Sequence, residues 1–136
     1  MSFDLREHTA DVAVEATGET LGAVFAATGD GMAAAMYEGA AAAGDRFDLS
    51  VTAESRESLL FDYLDELIYL RDVRNVLPVD NRASVSRRED RWTVEATARG
   101  VPLETIAARE VKAVTYAEMV LEETEAGWHA YVVFDV

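Results

Sequence analysis

The stretch DVAVEATGETLGAVFAATGDGMAAAM, residues 11–36, changes its hydrophobic period part-way along. Val12, Val14 and Ala16 alternate with other residues, the period-2 pattern of a half-buried strand that ends at Thr17-Gly18. From Leu21 the period is helical: Leu21, Val24, Phe25, Thr28, Met32, Ala35 and Met36 share one face, and Thr20 is placed to cap the first turn. Gly29 and Gly31 weaken this helix by roughly 1 kcal/mol each relative to alanine.

Beyond that unit, Phe47, Leu49 and Val51 alternate in a second strand. A second helix follows Ser55, with Ser58 the other candidate cap, and its apolar face is Leu60, Tyr63, Leu64, Leu67 and Ile68. Ala83 and Val85, then Trp92, Val94 and Ala96, read as a hairpin turning at Arg88-Glu89-Asp90. Gly100, Val101 and Pro102 close that region, because proline cannot donate to a ladder. A last hairpin runs from about Glu110 to Leu121, turns through Glu125-Ala126-Gly127 and closes from Trp128 to Val136. The order is β-α-β-α-β-β-β-β. Strands outnumber helices and cluster late, which predicts an α+β fold, a mostly antiparallel sheet packed with two helices, as a single domain over residues 1–136.

Half the residues are hydrophobic and only 2 are proline, which argues for a packed core. No apolar run approaches the ~20 residues of a membrane span, and MSFDLREH lacks the apolar region of a signal peptide, so the expectation is a cytoplasmic protein without a membrane partner. The absence of cysteine excludes disulfides, a thiolate nucleophile and thiolate zinc sites. Acidic residues outnumber basic ones 26 to 12, and Lys112 is the one lysine. Such an excess suits a salt-rich, halophilic cytosol, where at ~1 M the Debye length falls to about 3 Å. It also speaks against direct nucleic-acid binding, which needs clustered Lys and Arg.

The sequence holds no GxxxxGK[ST], no GxGxxG after a strand, no HExxH and no GxSxG. Gly29-Asp30-Gly31 lies inside a helical pattern and reads as a helix irregularity rather than a phosphate cradle. His8 and His129 are the only histidines, and each reads more readily as a hydrogen-bonded side chain than as a catalytic base. What remains is Asp11, opening one strand, and Asp135, ending another. If those ends meet, two carboxylates about 4 Å apart repel by around 4 kcal/mol at an effective dielectric of 20. One must then protonate or a cation must sit between them. With an oxygen of Val136, the cluster is all oxygen and suits Ca²⁺ or Mg²⁺.

HTAD (His8 to Asp11) followed by a strand and TGETL, the helix LLFDYLDELIYL (Leu59 to Leu70), VKAVTY (Val111 to Tyr116) and the closing FDV together resemble the archease family over nearly the whole chain. The resemblance implies a small α+β protein that is not itself an enzyme but a cofactor of the RtcB-type tRNA-splicing RNA ligase. That ligase joins a 3′-phosphate or 2′,3′-cyclic phosphate end to a 5′-hydroxyl using GTP. The helper promotes guanylylation of the ligase histidine and multiple turnover. The resemblance further implies a divalent metal, Ca²⁺ first with Mg²⁺ or Mn²⁺ as alternatives, on Asp11, Asp135 and Val136.

Two other readings stay open. One is a chaperone or modulator of tRNA-modifying enzymes such as a tRNA methyltransferase. The other is a metal-dependent hydrolase built on Asp11 and Asp135, for which His8 is the nearby base in sequence. Lys112, in a motif segment, reads as a snorkelling strand lysine ahead of a partner contact.

Overall fold

The computed structural model describes residues 11–37, 39 and 44–136. His8 lies outside them. The first strand, β1 (Asp11–Gly18), buries Val14 and Ala16. The first helix, α1 (Leu21–Met36), follows at once, and Thr20 Oγ1 accepts the Ala23 amide at 3.0 Å, the expected cap.

The glycines do not interrupt α1; they let it approach its neighbours. A Cβ at Gly31 would sit 2.4 Å from Val14 Cγ1, and one at Gly29 would meet Asn81, Leu67 and Tyr63, each at 3.2 Å. Between them, Asp30 Oδ1 accepts both the backbone and the side-chain amide of Asn81 at 2.9 Å. Thus Gly29-Asp30-Gly31 is where α1 is seated, and the expected irregularity is a packing contact inside a continuous helix.

Strand β2 (Asp45–Ala53) leads into helix α2 (Arg56–Arg74), and here both candidate caps are used. Ser55 Oγ accepts the Ser58 amide at 3.1 Å while Ser58 Oγ accepts the Ser55 amide at 3.2 Å, a capping box with serine in the reciprocal position. Asn75, at φ 56°, ends the helix in the left-handed conformation. Leu59, Leu60, Tyr63, Leu64 and Leu67 are completely buried. Each such side chain stabilises the fold by about 1.5–3 kcal/mol relative to exposure.

Strands β3 (Val76–Arg88) and β4 (Arg91–Pro102) form the middle hairpin, turning over Glu89 and Asp90. β3 starts earlier than the alternation at Ala83 and Val85 indicates, because a bulge between Val79 and Arg82 breaks the period. Pro78 is tolerated there because β3 is an edge strand. At the bulge Asp80, at φ 50°, is ringed by Arg46, Arg99 and Arg82. Partial desolvation pushes its pKa up, but Arg82, Arg46 and Arg99 outweigh this and hold it below the ordinary value.

The closing hairpin is β5 (Ala113–Thr124) and β6 (Gly127–Asp135). β5 begins and ends about three residues later than its pattern suggests; a second bulge, between Thr115 and Val120, shifts its register. All strand pairs are antiparallel, as expected, but the strands divide into two three-stranded sheets, β1-β6-β5 and β2-β4-β3. Helix α1 lies on β1, β3 and β6, and α2 on β2, β5, β3 and β4, so both helices join the two sheets over one core. No helix of the described residues is long and apolar enough to cross a membrane.

Candidate metal centre

In the β1-β6-β5 sheet, Val12, Val14 and Ala16 stand opposite Phe134, Val132 and Ala130 and face the core. The alternate positions therefore point outward together. Asp11 is paired with Asp135 at the last described rung of that ladder, and both residues are exposed. Directly opposed residues on one face have Cβ atoms about 4.5–5.5 Å apart, so the two carboxylates share one small patch of surface. On the far side of Asp135 stands Ala113 of β5, which adds no charge. Val136 follows β6, half-buried against the core.

The end of β6 is held by the segment before β5. The Lys112 amide donates to the Asp135 carbonyl at 2.7 Å, while the Lys112 side chain is exposed. Just upstream, Arg71 Nη1 donates to the Val111 carbonyl at 2.7 Å, and the Arg109 amide and Nε donate to the Met36 and Ala35 carbonyls at 2.8 and 3.0 Å. Arg71 is only 5% exposed and pairs with Asp72 at 2.9 Å. Sequence reasoning passed over it. The signal was present, since Leu60, Leu64, Leu67 and Arg71 continue one helical stripe and put the arginine on the buried face. A cleft of about 480 Å³ lined by Val12, Met36, Tyr37, Ala107 and Arg109 opens beside the Asp11 end.

His129 is on the same outward face but six residues up β6 from Asp135, roughly 20 Å away. Its Nε2 meets Glu15 at 2.8 Å and its Nδ1 meets Glu122 at 2.9 Å, one carboxylate from each flanking strand. A neutral imidazole has only one N–H, so two carboxylate partners favour the doubly protonated ring. The hydrogen bonds to Glu15 and then Glu122 raise the His129 pKa above its ordinary value, against a smaller opposing effect of desolvation. The histidine is thus a cross-strand clamp.

Among the described residues no three His, Asp or Glu side chains converge on a metal-holding arrangement. A cation at the end of β1 and β6 would rest on Asp11, Asp135, an oxygen of Val136 and water. That hard-oxygen donor set fits Ca²⁺ or Mg²⁺, and a cation would offset the repulsion that opposed carboxylates impose on the ladder.

The chain as a whole resembles known proteins. A family model described as Archease protein family (MTH1598/TM1083) matches residues 3–136. The chain is 34% identical to the Methanosarcina acetivorans protein named Protein archease, covering 98% of this chain and 95% of that protein. It is 30% identical to the Pyrococcus furiosus protein of the same name, over 96% and 95% of the two chains. Among solved structures it resembles the solution structure of Methanobacterium thermoautotrophicum protein 1598, with a TM-score of 0.81, 30% identity and 94% of each chain covered. It also shares the fold of a Thermotoga maritima archease described as a possible chaperone, with a TM-score of 0.59 at 21% identity over 95% of this chain and 93% of that one. A match over nearly every residue and a shared fold lead to one assignment: this chain belongs to the archease family.

Proposed function

We propose that this protein is a cofactor, not an enzyme, that activates an RtcB-type tRNA-splicing ligase by promoting its GTP-dependent guanylylation and multiple turnover. Family membership supports the reading, and one observation carries it: the register that sets Asp11 opposite Asp135 in the β1-β6-β5 sheet. In this reading Asp11, Asp135 and Val136 hold a divalent metal, Ca²⁺ first, which when bound supplies a compact positive charge at an otherwise anionic edge. The two aspartates orient their oxygens toward it. The Lys112 amide holds the Asp135 backbone in place, and Arg71 and Arg109 hold the segment that carries Lys112.

The acid excess fits a protein that acts beside an RNA ligase without binding RNA itself, and that docks on a basic protein surface. The test is multiple-turnover ligation and ligase guanylylation with wild type, Asp11→Asn and Asp135→Asn. Loss of turnover in both variants supports the reading; undiminished turnover in both sinks it. Recovery of a tRNA methyltransferase instead of the ligase from the organism's own salt-rich extract would favour the modulator reading.

A further inference from the structure

The large hydrophobic side chains exposed among the described residues are Tyr69 (57%), Val73 (61%), Tyr116 (53%) and Val120 (36%). All four lie on α2 or β5, which pack against each other. Phe61 of α2 stacks flat on Tyr116 of β5, with centroids 4.1 Å apart and rings 7° from parallel, so the two elements share one surface. Isolated exposed apolar residues are ordinary; their confinement to two adjoining elements is not.

The same surface is acidic. On α2 the outward stripe reads Asp62, Asp65, Glu66, Tyr69, Asp72 and Val73, at spacings of three and four. No ion pair among the described residues involves Asp62, Asp65 or Glu66. The sheet β2-β4-β3 with its turn carries six arginines and six acidic residues and is neutral, so the whole formal charge of -14 resides on the rest of the molecule, which includes this stripe.

We infer that the outward face of α2 and the adjoining edge strand β5 form the docking surface for a protein partner whose own surface sets Lys and Arg side chains around an apolar pocket. This rests on the ligase reading above and names the face through which that partner is held. Tyrosine anchors within a charged rim are the usual makings of binding energy and orientation at interfaces. A strand-addition mode is disfavoured, because the bulge over residues 116–119, with Glu118 at φ 60°, breaks the free edge of β5. Phosphate backbones are repelled by the unpaired carboxylates. On its opposite, buried side α2 is tied to the segment before β5: Arg71 holds Val111, and the next residue, Lys112, holds Asp135.

The test is surface-immobilised RtcB-type ligase from the same organism, titrated with wild type, Tyr69→Ser/Val73→Ser and Asp62→Asn/Asp65→Asn, with Ca²⁺ affinity measured in parallel. The apolar double variant is expected to bind the ligase about 10-fold or more weaker, through faster dissociation. The charge variant is expected to associate several-fold more slowly with a shallower salt dependence. Both should retain wild-type Ca²⁺ affinity and melting temperature, since the substituted groups are exposed. Wild-type-like binding by both variants overturns the docking surface while leaving the ligase reading intact. A folded wild type that does not bind the ligase overturns the ligase reading and this surface with it.

Discussion

Asp11 and Asp135 stand directly opposite one another in the β1–β6 ladder, the first described strand residue against the last. Both are exposed, so without a cation solvent screening reduces the cost of like charges so placed to about 0.2–1 kcal/mol, below the value for a pair at 4 Å in a drier setting.

The pair therefore makes a prediction with opposite signs in two conditions. In EDTA, Asp11→Asn and Asp135→Asn should melt at or slightly above the wild-type temperature. With Ca²⁺ at 100 times its dissociation constant, wild type should gain about 2.7 kcal/mol and the variants little or nothing. Thermal melts with and without Ca²⁺ measure this; variants that keep the full calcium shift would remove these residues from the site.

Gly31→Ala pits helix propensity against packing. Alanine favours α1 by about 1 kcal/mol, but its Cβ would lie 2.4 Å from Val14 Cγ1. Overpacking of this kind costs about 1–3 kcal/mol, so a net loss of up to roughly 2 kcal/mol is expected in urea denaturation. Adding Val14→Ala should cost less in the Gly31→Ala background than in wild type, and strict additivity of the two changes would refute the contact.

The His129 clamp predicts a pH dependence. Its folded-state pKa is raised from 6.5, so the stability it contributes is present in full below about pH 6.5 and is lost as pH rises through the folded value. The urea midpoint of wild type relative to His129→Gln should fall between mildly acidic and mildly alkaline pH. A difference independent of pH would show that the ring is not charged by Glu15 and Glu122.

Arg71→Met keeps the volume of a buried side chain and removes the donor to Val111, which is itself fully buried. Leaving that carbonyl unpaired should cost about 1–3 kcal/mol. Amide exchange at Lys112, whose N–H binds Asp135, should speed up more than exchange in α1. Uniform acceleration across the chain would mean that Arg71 acts on global stability alone.

Much of the fold was legible because its signals are local. The change of period between Ala16 and Leu21 marks strand and helix, and Thr20 and Ser55 cap as their positions suggest. Where a bulge breaks the period, as at Val79 to Arg82 and Thr115 to Val120, alternation misplaces the strand limits by several residues. The glycines of α1 look like weak points in the sequence because their partners, Val14 and Asn81, are remote from them in the chain. Arg71 is hidden in the sequence for a related reason: its charge masks its place on the apolar stripe.

The candidate site divides the same way. From the sequence alone came the residue types, the strand-end positions of Asp11 and Asp135 and the family resemblance that ties them together. Only the tertiary structure decided that β6 is the central strand between β1 and β5, that Asp135 therefore faces Asp11, and that the exposed tyrosines gather on α2 and β5. Alternation states which face of a strand is buried but not which strand lies beside it. That choice follows from how two helices and two sheets close over one core, a balance of contacts between residues far apart in the chain.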